Sequence, residues 1–496
     1  MIHGKNMKYI LSLDQGTTSS RALIINKMGQ KMGSASKKFK QIFPRPALVE
    51  HDPIEIYESQ IESVKNALKD ASLTASQIAG IGITNQRETI VVWDKRTGRP
   101  LMNAIVWQDR RTADMCKSLK DKEDIFRGKT GLLLDPYFSG TKLSWILDNH
   151  PGSRENENLI CGTIDSWLIW NLTEGKVHIT DMSNAARTLL FNIHTETWDD
   201  ELLEIFNIPK RMLPLVKSSS EIYGETSLFG SPIPISGIAG DQSAALFAQG
   251  CYEKGDVKIT YGTGCFMLMQ LGEKPLLSKN GLLTSIAWKV KGMTQYALEG
   301  SVFNAGTVIQ WLISMGIITS PKEADELASS VSSTDGVYFI PAFTGLGAPH
   351  WDPSARGMVL GITRGTEKAH LIRSGIEGVG FQTMDLFHAM KEDTGLNPKS
   401  VRVDGGLSRS ELLLQFQSDL IETDIEKPTM QETTAYGAAF LAGLGIGYWE
   451  SLDEIKQLWK LEKSFSPIME KKELLRQKTN WQKAINCNQH AEEIEL

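Results

Sequence analysis

A strand, a short Gly/Thr-rich turn and a returning strand occur twice in this sequence, once in each half. Tyr9-Ile-Leu-Ser-Leu13 reads as a buried strand, Asp14-Gln-Gly-Thr-Thr-Ser-Ser20 as a tight turn and Arg21-Ala-Leu-Ile-Ile25 as the strand that returns, with a further turn at Met28-Gly29. Val257-Lys-Ile-Thr-Tyr261, Gly262-Thr-Gly264 and Phe266-Met-Leu-Met269 repeat the pattern. A chain that builds the same hairpin in both halves is expected to fold as two related lobes. The boundary is placed at residue 249, giving units 1–249 and 250–496, each long enough to bury its own core.

Helices alternate with the strands. One opens after Asp52, with Pro53 at its first position and Glu55 at its third, a capping arrangement, and Tyr57, Ile61, Val64 and Leu68 recur at helical spacing. Ile78-Ala-Gly-Ile-Gly-Ile83 is a strand that runs into Thr84-Asn-Gln-Arg-Glu88. Further on come a helix at 304–316, a strand at 337–340, a long helix at 367–393, a strand and turn from Val401 to Ser408, and a Gly/Ala-rich helix at 433–443. The alternation predicts an α/β protein.

Charge narrows the partners. With 53 Lys and Arg against 59 Asp and Glu, a formal net charge of −6, the chain has no basic field with which to hold nucleic acid or an anionic membrane surface. Five scattered cysteines without a C-x-x-C pair suit reduced thiols in the cytoplasm, and no run approaches the roughly 18 apolar residues of a membrane span. The opening Met1–Gln15 holds only a short apolar run, so it reads as neither a secretory leader nor a span, and Met7 is a candidate alternative start.

The signatures of P-loop ATPases, dinucleotide dehydrogenases, zinc proteases and α/β-hydrolases are all missing. The two Gly/Thr turns remain, each able to aim backbone N–H groups and hydroxyls at phosphate oxygens, and Asp14 at the first could hold Mg²⁺ or its water. Alone, Asp-Gln-Gly-Thr-Thr suits an ordinary hairpin turn as well as a phosphate loop. The duplication favours phosphate, because a triphosphate held between two half-structures needs one such loop from each. Asp241, in Gly237-Ile-Ala-Gly-Asp-Gln242, poses a similar choice between helix cap and general base. The two roles are compatible, since a helix N-terminus favours the anion.

Asp14-Gln-Gly-Thr-Thr-Ser-Ser-Arg21, Gly82-Ile-Thr-Asn-Gln-Arg-Glu-Thr89, Asp135-Pro-Tyr-Phe-Ser-Gly-Thr-Lys142, Gly237–Gln242, Tyr261-Gly-Thr-Gly-Cys-Phe-Met267 and Gly345-Leu-Gly-Ala-Pro-His-Trp-Asp352 resemble, in order and spacing, the FGGY carbohydrate kinases, and among them the branch that phosphorylates glycerol. The resemblance implies an α/β fold of two ribonuclease H-like (actin-like ATPase) domains around a central cleft. It implies ATP and Mg²⁺ held mainly by the second domain, and glycerol by the first. By matched position Thr17, Thr18, Ser19 and Arg21 would meet the phosphates and Asp14 the hydrated Mg²⁺. Thr263, Gly306, Gln310 and Gly406 would line the nucleotide site. Arg87, Glu88, Tyr137, Asp241 and Gln242 would hydrogen-bond the glycerol hydroxyls, Trp107 and Phe266 would cover its carbons, and Asp241 would act as the catalytic base. A homodimer or homotetramer is implied as well.

A triol offers almost no apolar surface, so its affinity must come from paired hydrogen bonds, which an adjacent Arg-Glu supplies as donors and acceptors together. Two positions depart from the family pattern. Ser410 stands where many relatives have Asn near the adenine, and Leu228-Phe-Gly-Ser-Pro-Ile-Pro234 lacks the Arg-containing loop of relatives inhibited by fructose 1,6-bisphosphate, so that inhibitor is expected to be ineffective. A kinase of the same family for another polyol or sugar would keep both phosphate turns but change Asn85–Glu88 and Asp135-Pro-Tyr137. An actin-like ATPase that only binds a protein partner would need neither the base nor the triol residues.

Overall fold

The computed structural model describes residues 8–352 and 354–490; Met7, the candidate alternative start, lies outside them. Two large sheets are built from the two halves of the chain. The first has strands β1 (Tyr9–Gln15), β2 (Ser19–Ile25), β3 (Lys31–Lys38), β4 (Ile78–Asn85), β5 (Gly224–Thr226) and β6 (Ile233–Gly240), in the order β5-β6-β4-β1-β2-β3. The second has β7 (Val257–Tyr261), β8 (Cys265–Gly272), β9 (Leu283–Val290), β10 (Met293–Val302), β11 (Ser400–Asp404), β12 (Asp424–Pro428) and β13 (Leu461–Phe465), in the order β9-β10-β8-β7-β11-β12-β13.

The duplication goes further than the hairpins. In the first sheet β1 pairs antiparallel with β2 and parallel with β4, and β4 is parallel to β6. In the second, β7 pairs antiparallel with β8 and parallel with β11, and β11 is parallel to β12. Each sheet is thus an antiparallel meander followed by two parallel strands, with an antiparallel strand on the outer edge. The central strands are covered on both faces and accordingly carry few polar side chains.

Helices fill the faces: α1 (Pro53–Asp70), α2 (Asp241–Ala248), α3 (Gly306–Ser314), α4 (Lys368–Thr394), α5 (Glu411–Ile421), α6 (Thr433–Gly445) and α7 (Lys471–His490). Alternation along β1 splits its side chains between two cores. Leu11 and Leu13 join Ile56 and Val64 of α1, whereas Ile10 joins Phe247 of α2 and Ala439 and Phe440 of α6. α6 belongs to the second half of the sequence yet packs on the first sheet, so the two halves share a core.

Three local expectations change. Ladder pairs Asp14↔Arg21 and Gln15↔Ser20 extend the first hairpin, so its turn is only Gly16-Thr17-Thr18 and Asp14 lies within a strand. Asp52 caps α1, accepting from Ile54 N at 2.8 Å, but Glu55 does not reach back to the cap; it accepts from Lys40 N at 2.9 Å. The buried face of α1 is rotated from the predicted stripe and includes Ser59, Gln60 and Ser63, while Tyr57 and Ile61 sit at its margin. The polar seam has a purpose: Ser59 Oγ lies 2.9 Å from Ser20 Oγ, Ser63 Oγ donates to Ser20 O at 3.1 Å and Gln60 Nε2 to Arg21 O at 2.8 Å. These bonds fix the strand just beyond the first Gly/Thr turn.

Candidate active site

Between the two sheets lies a cluster of buried charge. β4 ends at Asn85, and Gln86 N donates to Gln15 O at 2.7 Å, pinning the loop that follows beside the first turn. Glu88 has φ = 63°, a left-handed conformation sparsely populated by non-glycine residues, and Ser139 Oγ holds its carbonyl at 2.8 Å. The kink turns both Arg87 and Glu88 inward. Arg87 Nη1 and Nη2 donate to Glu299 Oε2 and Oε1 at 2.6 and 2.9 Å, and its Nε lies 3.2 Å from Asp241 Oδ1. Arg187 Nε donates to Glu88 Oε1 at 2.6 Å and its Nη2 to Glu299 Oε1 at 3.1 Å. Lys258 Nζ donates to Gln242 Oε1, and to Thr260 Oγ1 at 2.8 Å. Arg87 and Arg187 thus face Glu88, Glu299 and Asp241, while Lys258 lies under the influence of Asp404 and Asp241.

Asp241 is not the cap of α2. Gly240 takes the cap position, and Asp241 is the first helical residue, its Oδ1 accepting from Gln242 N at 2.7 Å. Gly240 is there for space: a Cβ would come within 2.6 Å of Arg87 Cγ, blocking the arginine stem. The Asp241 side chain is still 31% exposed. Crowding by the protein pushes its pKa up from the ordinary carboxylate range, against the pull of Arg87, the Gln242 N–H and Lys258, while Glu299 pushes the same way as burial. Burial likewise raises Glu88 against the pull of Arg187 and Arg87, lowers Lys258, and raises the Tyr137 hydroxyl. Glu299 behaves differently: burial pushes it up, but Arg187 and Arg87 outweigh that and hold it at about 2.

Over the cluster, Tyr137 and Trp107 meet edge to face at 5.5 Å, and Trp107 Nε1 donates to Thr17 Oγ1 at 3.0 Å. The ring pair is thereby tied to the first Gly/Thr turn. Thr17 and Ser19 are partly exposed, Thr18 is exposed, and Arg21 lies beside Asp14, Nη1 to Oδ2 at 3.8 Å. Asp14 Oδ2 also accepts from Thr434 Oγ1 of α6 at 2.9 Å, and burial is the largest influence on the carboxyl, raising its pKa. Phe266 on β8 is half-buried against the core shared by α2 and α6.

On the other side of the cleft, the second turn is bonded to α3. Gly306 N donates to Gly262 O at 2.9 Å, and Ala305 N and Thr307 N to Thr263 O at 3.0 and 3.2 Å. Gly405 follows β11 with φ = 91°, packed on the Tyr261 carbonyl, and exposed Gly406 comes next. Thr263, Gly306 and the Gly405-Gly406 turn are therefore neighbours. Gln310 lies one helical turn along α3 from Gly306 and is exposed. Ser410 caps α5, its Oγ accepting from Leu413 N at 3.3 Å.

The family model described as "FGGY family of carbohydrate kinases, N-terminal domain" matches residues 9–248, and that for the C-terminal domain matches residues 257–446. The chain belongs to this family. As an FGGY kinase it has the two-domain ribonuclease H-like, actin-like ATPase fold. Relatives named glycerol kinase from Bacillus licheniformis and Burkholderia ambifaria are 55% and 54% identical to it over 489 and 488 residues, covering 97% of this chain and 99% and 98% of theirs. The Plasmodium falciparum glycerol kinase solved with ADP superposes with a TM-score of 0.90 at 37% identity, covering 97% of this chain and 98% of that one. A xylulose kinase from Lactobacillus acidophilus, 23% identical, has the same fold (TM-score 0.87, 98% of each chain).

Sequence reasoning missed four polar members of this FGGY kinase's cleft: Arg187, Lys258, Glu299 and Thr434. A signal was present for two of them. Lys258 interrupts an apolar strand before the second turn, and Glu299 lies in the buried run Tyr296-Ala-Leu-Glu-Gly300; a lone charge in such a strand calls for a buried partner. Arg187 and Thr434 stand among polar neighbours and carried none.

Proposed function

We propose that this chain transfers the γ-phosphoryl group of ATP to a terminal hydroxyl of glycerol, giving sn-glycerol 3-phosphate and ADP, the first step of glycerol catabolism. The reading treats residues 1–249 and 250–496 as the two lobes of the cleft. The observation that carries it is the arrangement around Asp241: a partly exposed carboxylate at the start of α2, 3.2 Å from Arg87 Nε, with Glu88 and Gln242 in the same buried cluster.

Arg87, Glu88, Tyr137 and Gln242 hold the triol by hydrogen bonds that water would otherwise make, and Trp107 and Phe266 cover its carbons. Asp241 accepts the proton of the attacking hydroxyl, burial raising the proton affinity of its carboxylate against the pull of Arg87. The nucleotide lies along the two turns, with Thr17, Thr18, Ser19 and Arg21 toward the phosphates and Thr263, Gly306, Gln310 and Gly406 beside the rest. Among the described residues no group of three or more ligating side chains could hold a metal unaided. The Asp14 carboxylate suits Mg²⁺ completed by phosphate oxygens and water, the habit of that ion. When bound, Mg²⁺ neutralises charge on the transferring phosphoryl group.

The test is ADP release across glycerol, dihydroxyacetone, xylulose and gluconate, with the Asp241→Asn variant alongside. Glycerol should be preferred, and Asp241→Asn should keep ATP affinity while losing about 10²–10⁴-fold in kcat. Strong preference for another substrate would refute the assignment, and near-normal turnover of the variant would refute the base.

A further inference from the structure

We infer that Glu299 and Arg187, neither of which can touch substrate, are positioning residues that aim Arg87 and Glu88 at glycerol, with Glu299 supplied by the opposite lobe. The inference rests on the glycerol reading above. Glu299 lies on β10 of the second sheet, with its side chain 3% exposed; the Arg187 side chain is wholly buried. Arg87 has five N–H donors in one rigid plane. Glu299 takes both Nη groups in a fork-to-fork pair, which fixes that plane and leaves Nε facing Asp241.

Arg187 does the same for Glu88. It donates to Oε1, and no bond to Oε2 of Glu88 is made by either arginine, so one carboxylate oxygen remains for a hydroxyl. Its guanidinium also lies 5.5 Å from the Tyr137 ring and 5.1 Å from that of Phe138, packing beneath the same triol residues. A buried ion network costs much of its Coulombic gain in lost hydration, so it is a poor device for stability alone. Holding two polar side chains in a single direction in an empty cleft is what such a network does well.

The test measures glycerol KM, ATP KM, kcat and thermal midpoint for Glu299→Gln, Glu299→Asp, Arg187→Gln and the double variant Arg187→Gln/Glu299→Gln. Glu299→Gln and Arg187→Gln should each raise glycerol KM about 10- to 100-fold while ATP KM stays within about threefold. Glu299→Asp should fall between wild type and Glu299→Gln. The double variant, which removes one charge of each sign and so stays folded if Glu299→Gln alone does not, should lose less than the product of the two single losses. A glycerol KM within about twofold of wild type in the folded single or double variants overturns the inference, as does a parallel rise in both KM values. Wild-type protein that does not phosphorylate glycerol overturns the proposed function instead, and this inference with it.

Discussion

One added methyl group at Gly437 should disable this molecule. α6 crosses between the first sheet and α2, and at Gly437 it meets the backbone of α2: a Cβ there would lie 1.9 Å from Ala244 O and 2.4 Å from Ala244 C. Ordinary contact begins near 3.4 Å, so Gly437→Ala leaves a shortfall of about 1.5 Å that no rotamer relieves, since both obstructing atoms are main chain. The helix cannot slide away along the sheet. It is equally close to β4, where a Cβ on Gly82 would meet Ala438 O at 2.0 Å, and to β6, where one on Gly237 would meet Ala442 N at 2.3 Å. Overpacking of this kind costs about 1–3 kcal/mol, which for lobes of this size is a fall of about 2–12 °C in thermal midpoint. Activity should suffer more. α2 begins with Asp241 and Gln242, and α6 begins beside Thr434, which bonds Asp14, so parting the two helices alters the spacing of the carboxylates proposed as base and metal ligand. A misplacement near 1 Å is worth about 10²-fold in rate. The assay is scanning fluorimetry with ADP release at saturating glycerol. Gly128→Ala, in the helix Glu123–Thr130 with nothing near its added Cβ, serves as the control and should be neutral or slightly stabilising. A Gly437→Ala protein within about 2 °C and threefold in kcat/KM of wild type would refute the claim that α2 and α6 touch backbone to backbone.

Two other changes test the metal and the core. Asp14→Asn keeps an acceptor for Thr434 but loses the charge, so the Mg²⁺ concentration for half-maximal rate should rise about tenfold or more, and chelation should abolish transfer in wild type; an unchanged Mg²⁺ titration would remove Asp14 from the metal site. His51, wholly buried between Gln41 and Gln86, is held by burial at about 4 against 6.5 unfolded. The unfolded chain therefore takes up its proton first, and stability present above pH 6.5 is lost as pH falls toward 4, by about 3 kcal/mol for this group. His51→Gln should flatten that part of the denaturation profile, and an unaltered slope between pH 6.5 and 4 would show that His51 does not carry it.

The hairpins at 9–25 and 257–269 were legible because the period-2 apolar pattern and the Gly/Thr turns are local signals, and pairing needs no knowledge of the rest of the chain. Where the reading slipped, a distant partner had intervened. Glu55 is a sound capping residue by local rules, but Lys40 N, from the far end of the β3 excursion, claims its carboxylate. The buried face of α1 is turned because Ser20 and Arg21 offer it hydrogen bonds. The place of α6, in the second half of the sequence but on the first sheet, depends on Gly82, Gly237 and Gly437 letting backbones meet. A glycine in sequence does not say what it touches.

The candidate site divides along the same line. Arg87, Glu88 and Asp241 stand in motifs where adjacent residues share a task, and the cluster holds all three. Glu299 and Arg187 act through partners at separations that leave no trace in spacing: Glu299 is bonded to a residue 212 positions away, and Arg187 to one 99 positions away. A lone charge in an apolar strand, such as Glu299, signals that a partner exists without naming it, yet these partners decide whether the visible residues can be buried at all, because Arg87 and Glu88 without counter-ions would not tolerate the cleft floor. Motifs thus display the groups proposed to meet substrate, while the groups that make those positions tenable lie far off in the sequence, Glu299 on the second sheet and Arg187 in the first half of the chain. It follows that a relative could keep the Arg-Glu motif and still lose glycerol binding through a single change at position 299.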